Sequence, residues 1–340
     1  DLNPAAQLQP RERELRYDNI RSARAEEGIL RLLIRDESLF PAEPPLKEEQ
    51  FSSSLLGRAF ALLWQARAQG RTPSLSPLAG KLVPISSLFE VFRGVKSGYD
   101  RAFYSDDPCF VDPPFCFPLI KNLRGTHSYT LEPNQYVFIC DKSKDELARE
   151  GHFKTLGHIR RHEVGVTKSA KSNTPYWYSL PAGKSFHFAT MMNPGDRLFF
   201  AQAGRDTCFA NQRLICLRAL SDHADLPLAH ALLNSCAGLL MLESSGGPMG
   251  DGALDNRKES LANLSMLDPS LVAAESRQAI LDAFEPLKGR PVKPLREELY
   301  EADREAFDKA VLQAFGLEDL HDRIRNALTM MVKVRTEELP

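Results

Sequence analysis

The sequence predicts a mixed α/β domain flanked by an N-terminal helical module and a C-terminal helical region. Three observations predict it. Before residue 70 the apolar residues fall at helical spacing. Between residues 81 and 217 they gather into short β-branched and aromatic runs separated by Gly, Pro and Asn. From Asp225 onward the helical spacing returns.

The helical module spans 1-80. Leu15, Ile20, Ala23, Ile29, Leu32 and Leu33 give one buried face to helical sequence that ends near Asp36, ahead of Phe40-Pro41. A second helix follows the cap candidates Ser52, Ser53 and Ser54 and runs through Phe60, Leu63 and Trp64 to Gly70. The α/β domain, 81-224, has strand candidates at Val91-Phe92, Tyr136 to Cys140, Trp177-Tyr178, Phe186 to Phe188, Leu198 to Ala201 and Leu214 to Leu217. A helix over Lys144 to His152 lies among them. The region 225-340 reads as helical support: Leu226 to Leu233, Pro269 to Phe284, Leu295 to Phe315 and Leu320 to Val334, interrupted by the Gly-rich Ser244 to Gly252.

A chain of 340 residues can bury ordinary cores without a metal or disulfide brace. Its six cysteines, Cys109, Cys116, Cys140, Cys208, Cys216 and Cys236, lack the short regular spacing of a secreted framework, so a reducing, cytoplasmic setting is expected. No apolar run approaches the roughly 18 residues of a membrane span, so no membrane partner is expected. The net charge of −2 hides an uneven distribution. Basic and acidic residues number 11 and 11 in 1-80, 16 and 12 in 81-199, and 16 and 22 in 200-340. The middle of the chain is therefore the candidate polyanion-facing surface, and the last part suits support or protein contact.

Asp112-Pro113-Pro114-Phe115 is similar to the loop with which amino-methylating DNA methyltransferases hold an exocyclic amine and stack an aromatic ring on a flipped base. That chemistry also needs a Gly-rich cradle for S-adenosylmethionine. Ala201 to Arg205 has a single glycine, Ser244 to Gly250 sits between helical segments rather than in a strand-turn-helix setting, and the adjacent prolines also suit a rigid loop leading to Phe117-Pro118. His158 and His162 would share a helix face and could ligate a metal. Arg160-Arg161 between them oppose a cation, so no metal is expected and a strand edge facing solvent or phosphate is preferred.

The cations of 93-197 interleave with aromatic residues. Arg93-Gly94-Val95-Lys96-Ser97-Gly98-Tyr99 sets two cations beside two glycines, as a close approach to phosphate would require. Lys121, Arg124, Lys154, Arg160, Arg161, Lys168 and Lys171 precede Tyr176-Trp177-Tyr178. A DNA-binding face and an ordinary solvated face with Trp177 in the core both fit this pattern.

Taken in order, Leu88 to Gly94, Lys96 to Tyr99, Pro118 to Lys121, Asn211 to Leu214, Leu233 to Ser235, Gly250 to Leu254, Leu267 to Pro269 and Asp303 to Asp308 carry a resemblance. Residues 81-335 resemble the C-terminal target-recognition region of N6-adenine DNA methyltransferases of restriction-modification systems. The resemblance implies a target-recognition-like α/β domain backed by helices. It makes Arg93, Lys96, Lys121 and Arg124 candidate DNA contacts, and gives Asn211, Asn234 and Gly252 roles in holding the fold. It also implies that the nucleotide-binding motif and the catalytic Asn-Pro-Pro-aromatic loop belong to a domain preceding residue 81. Residues 11-80 are similar instead to the helicase-interacting C-terminal domain of bacterial DNA primase, through Ala25 to Leu33 and Phe51 to Arg58.

The expectation is sequence-specific recognition of double-stranded DNA within an adenine-N6 methyltransferase or restriction-modification protein, with no catalytic residue in this chain. DNA contacts are expected from Arg93, Lys96, Lys121, Arg124, Arg160 and Arg161. S-adenosylmethionine is expected only where a catalytic domain accompanies the chain, which begins at Asp1 rather than Met. One rival is an amino-methyltransferase using Asp112 and Phe115. Another is a scaffold bound to a helicase, nuclease or restriction subunit.

Overall fold

The computed structural model describes residues 20–35, 39–41, 43–52, 54–68, 78, 80–123, 128–180, 184–204, 209–245, 247–248 and 254–336. The chain divides into two compact units, Asp1–Lys81 and Leu82–Pro340.

The first unit contains α1 (Ile20–Arg35) and α2 (Ser54–Ala68). Leu30 and Leu33 of α1 are buried with Phe40, Phe51, Leu56, Phe60 and Leu63. The ring centroids of Phe51 and Phe60 lie 4.9 Å apart, and those of Phe40 and Trp64 5.1 Å apart. Glu26, Leu30 and Leu33 form the inward face, whereas Ile29 and Leu32, expected inside, are exposed. Buried Glu26 explains the shift of face. Its carboxylate accepts the Ser52 amide at 2.9 Å and the Ser52 hydroxyl at 2.8 Å, so Ser52 ties the segment entering α2 to α1.

The second unit opens with β1 (Leu82–Pro84), α3 (Ile85–Leu88) and β2 (Phe89–Arg93), followed by α4 (Asp100–Phe103), β3 (Tyr104–Ser105) and β4 (Cys116–Ile120). Next come β5 (Thr130–Leu131), β6 (Gln135–Phe138), α5 (Lys144–Arg149) and α6 (Phe153–His162). Strands β7 (Phe188–Met191), β8 (Ala201–Ala203), β9 (Phe209–Ala210) and β10 (Leu214–Ala219) lead to α7 (Leu226–Asn234) and α8 (Cys236–Ser245). Then follow β11 (Gly247–Pro248), β12 (Leu254–Asp255), α9 (Lys258–Ala262), β13 (Ser265–Leu267), α10 (Ala274–Lys288), α11 (Leu295–Glu298), α12 (Ala302–Ala314) and α13 (His321–Thr336).

Two sheets organise this unit. The first has the order β2-β10-β7-β8-β5, antiparallel except for the β5–β8 pair. The second has the order β3-β6-β4-β9, with β4 and β9 parallel. The helices after Asp225 cover the first sheet through an aromatic chain. Phe89 of β2 meets Phe188 of β7 edge-on, Phe188 stacks on His230 of α7 at 5.1 Å, and His230 meets Phe284 of α10 at 5.2 Å. Phe284 in turn stacks on Phe307 of α12 at 4.9 Å. Such pairs contribute about 0.5–1.5 kcal/mol each beyond their area. β1 pairs antiparallel with β13, Leu82 opposite Leu267, so the start of the unit is hydrogen-bonded to a strand among its late helices.

The second sheet packs with α5 and α6 on a separate core that includes Phe103, Leu119, Val137, Phe138, Leu147 and Ile159. Ser143 caps α5 in a reciprocal box with Glu146, which accounts for a helix starting at Lys144. Residues 153–162 form a helix rather than the expected strand edge, because Thr155, Leu156 and Ile159 recur at helical spacing on its buried side. Trp177 and Tyr178 lie in a turn, not a strand. Tyr178 is buried there, and its hydroxyl donates to the Lys142 carbonyl at 3.0 Å. Among the described residues no single helix is long and apolar enough to cross a membrane; α7 and α8 are apolar together but bend by 66° and are largely buried.

Candidate nucleic-acid interface

The two sheets meet where residues 93–100, 120–122, 191–193 and 210–213 converge. Val95 donates its amide to Ala210 at 2.7 Å and accepts that of Gln212 at 3.0 Å, while the Asn211 amide donates to Ile120 at 2.9 Å. A side chain at Gly94 would collide with the carbonyl oxygens of Ala210 and Asn211, and Gly98 adopts φ +66° beside Ser169. Contacts within the protein thus account for both glycines, for which the sequence offered a phosphate. Asn211 is buried at the junction: its amide nitrogen donates to the Tyr104 hydroxyl at 3.1 Å, and its oxygen accepts the Arg213 amide at 3.1 Å.

A cleft of about 220 Å³ opens at this seam, lined by Asp100, Lys121, Asn122, Asn193, Asn211 and Arg213 among others. The half-buried Lys121 extends its ammonium over the Tyr104 ring at 5.6 Å. Arg93 sits at the end of β2 and donates Nε and Nη2 to the Gln212 carbonyl, at 3.2 and 3.0 Å. Lys96 is exposed one residue beyond Val95. Of the four cations expected here, Lys121 lines the cleft, Arg93 and Lys96 lie in the segment that borders it without lining it, and Arg124 lies outside the described residues.

A second cleft, of about 350 Å³, lies between α4 and α6 and includes Arg101, Tyr104, Asp107, Lys154, Arg161 and His162 in its lining. Residues 154, 158 and 161 fall on one stripe of α6, given about 100° per residue. Arg160 is exposed well round the helix from that stripe and does not line the cleft. Adjacent residues of α4 face different clefts, Asp100 the seam and Arg101 the second. Arg101 and Arg213 were not proposed as contacts from the sequence; Arg101 reaches its place through the packing of α4 on α6, and Arg213 through the pairing of Asn211 with Val95, 116 residues earlier.

His158 and His162 do share a helix face, with ring centroids 4.6 Å apart. His158 Nε2 donates to the Ala102 carbonyl at 2.7 Å, and burial lowers the pKa of both imidazoles. No group of three potential metal ligands occurs among the described residues.

Asp112 and Phe115 flank the short turn Pro113–Phe115. Asp112 Oδ2 accepts the Thr155 amide at 2.8 Å and the Thr155 hydroxyl at 2.7 Å, fixing the loop to the first turn of α6. Burial works against the Asp112 charge, but the Thr155 bonds together with the charges of His152 and Lys154 outweigh it and hold the carboxyl below its ordinary range. The Phe115 ring is buried edge-on against His152 at 4.9 Å, which leaves it no open face for a base.

No protein-family model matches the sequence, and no curated protein matches it significantly. The chain is similar in fold to the type IIG restriction endonuclease BpuSI, with a TM-score of 0.52 and 12% identity over 83% of this chain and 35% of that one. It also aligns, at a TM-score of 0.31 and 10% identity, with the HsdS subunit from Thermoanaerobacter tengcongensis, over 93% of this chain and 58% of that one. The chain thus spans about a third of the first of these proteins and just over half of the second.

Proposed function

We propose that the second unit recognises duplex DNA as part of a restriction-modification protein, reading sequence at the seam between its two sheets. The observation that carries this reading is the seam cleft itself. Lys121 and Arg213 stand there beside amide side chains, and Arg93 and Lys96 flank the same junction. Cations of this kind meet phosphate or the guanine edge, and amides match the adenine edge. The fold likeness to a type IIG restriction endonuclease supports the same reading, as does the ordered series of short sequence resemblances.

The modification served is methyl transfer from S-adenosylmethionine to adenine N6, carried out by a domain other than this one. The described chain binds no S-adenosylmethionine in this reading and contributes no catalytic residue, because the Asp112 loop is occupied in holding α6. Restriction-modification subunits are the expected protein partners.

The test is selection from a randomised duplex pool, followed by affinity measurements over a range of salt. A recovered consensus is expected, with affinity falling steeply as salt rises. Lys121→Ala combined with Arg213→Ala should weaken binding to the consensus by about 1–3 kcal/mol and relax its sequence. No enrichment, together with no salt-dependent binding, would overturn the proposal. A titration showing S-adenosylmethionine bound to this chain would restore the methyltransferase rival.

A further inference from the structure

We propose that the cleft between α4 and α6 is a seat for one phosphate group, whose oxygens Arg101, Lys154 and Arg161 hold together. As a seat for a duplex phosphate it rests on the DNA-recognition reading, but its geometry stands apart from the seam.

The cleft is built and not merely a run of surface charge. The bond from His158 Nε2 to the Ala102 carbonyl clamps α6 onto α4, setting Arg101, next to Ala102, against Arg161, three residues beyond His158. Phe110 and Phe138 pack edge-on against the His158 ring at 5.3 and 5.5 Å and fix its orientation. Lys154 reaches the cleft from one turn earlier on α6.

None of Arg101, Lys154 and Arg161 has an ion pair or side-chain hydrogen bond among the described residues. Their donors are available while their like charges repel, and a bound anion relieves both conditions. Two carboxylates lie nearby: Asp107 in the lining, its Oδ1 engaged by the Cys109 amide at 2.8 Å, and Asp112, which feels the Lys154 charge while its Oδ2 is held by Thr155. Guanidinium groups match phosphate oxygens in fork geometry, whereas a compact cation would be repelled. The two clefts are neighbours: Tyr104 lines this one, and Lys121 of the seam extends over its ring. A phosphate here fixes the register of the duplex and carries no base information.

The experiment compares the full chain with its Arg101→Ala/Arg161→Ala variant in duplex binding across salt and in selection from the randomised pool. The variant should bind about tenfold more weakly at low salt, with the slope of log affinity against log salt shallower by about 1 and the same sequences enriched. Unchanged affinity and slope, or an altered consensus, would overturn the seat while leaving duplex recognition standing. If the unmodified chain binds no duplex, the DNA reading fails, and inorganic phosphate becomes the probe. A melting temperature that phosphate raises in the unmodified chain but not in the variant then supports a seat for free phosphate. No rise in the unmodified chain removes the seat altogether.

Discussion

The arginines of the late helices and those of the cleft between α4 and α6 are used in opposite ways. Among the late helices and their links, Arg290 is held by Glu298 and Asp303, Arg335 by Glu243, and Arg304, fully buried, by Asp308 at 2.8 Å. Arg304 also donates to the Asn234 carbonyl at 2.7 Å, and Asp308 accepts the Cys236 amide at 2.7 Å, so one ion pair ties α12 to the junction of α7 and α8. Arg101 and Arg161 are exposed and have no carboxylate partner among the described residues. The difference teaches where to look for a ligand. A paired guanidinium has its partner already and serves the fold, whereas a cluster of unpaired ones leaves its electrostatic demand to something outside the chain.

The sharpest way to break this comparison is at Arg304. Arg304→Ala should destabilise the second unit by about 3–5 kcal/mol, since it strands a buried Asp308 carboxylate, and urea unfolding measures the loss. A loss below about 1 kcal/mol would mean that the pair is not structural.

Acid should act on the same region. Burial depresses the His230 pKa from 6.5 to about 4, with its Nε2 donating to the Phe200 carbonyl at 2.8 Å. Between those values the unfolded chain takes up a proton that the folded one refuses. Stability is therefore full above pH 6.5 and declines on acidification toward pH 4, by on the order of 3 kcal/mol. His158 and His162 add to the slope in the same direction. Unfolding curves taken across that pH window should flatten in His230→Phe.

A smaller effect is expected at the loop that resembles a catalytic motif. Asp112→Ala removes the acceptor for Thr155 and should cost about 1–2 kcal/mol, read as a lowered urea midpoint, without change in S-adenosylmethionine binding. The smallest effect sharpens the contrast: Arg161→Ala should leave stability within about 0.5 kcal/mol of the parent chain while weakening DNA binding. A large loss of stability there would assign Arg161 to the fold.

Local pattern revealed much of this architecture. Strands β2, β6 and β10 lie where β-branched and aromatic runs occur, α5 follows its Ser143 cap, and α7 begins at the Asp225 that caps it. The failures have physical causes. The aromatic run at Trp177-Tyr178 reads as a strand, but its hydrogen bonds go to turns and to Lys142. The helical stretch from Leu295 to Phe315 is interrupted at Leu299 to Glu301, where Glu298 turns inward to accept Arg290. Of the candidate site, Arg93 and Lys96 could be seen as cations beside glycines and Lys121 as one of the cations that follow them. Arg213 could not, because Asn211 meets Val95 only through long-range pairing, and Arg101 could not, because its neighbours Lys154 and Arg161 come from α6, packed on α4.

The pairing of β1 with β13 bears on any attempt to move the second unit, or part of it, into another protein. A transplant ending at residue 224 would shear off the partner of the opening strand and strip the aromatic cover from Phe89 and Phe188, leaving a greasy, unpaired edge prone to aggregate. The smallest portable piece is therefore the whole second unit from Leu82 through α13, sheets together with their helical backing.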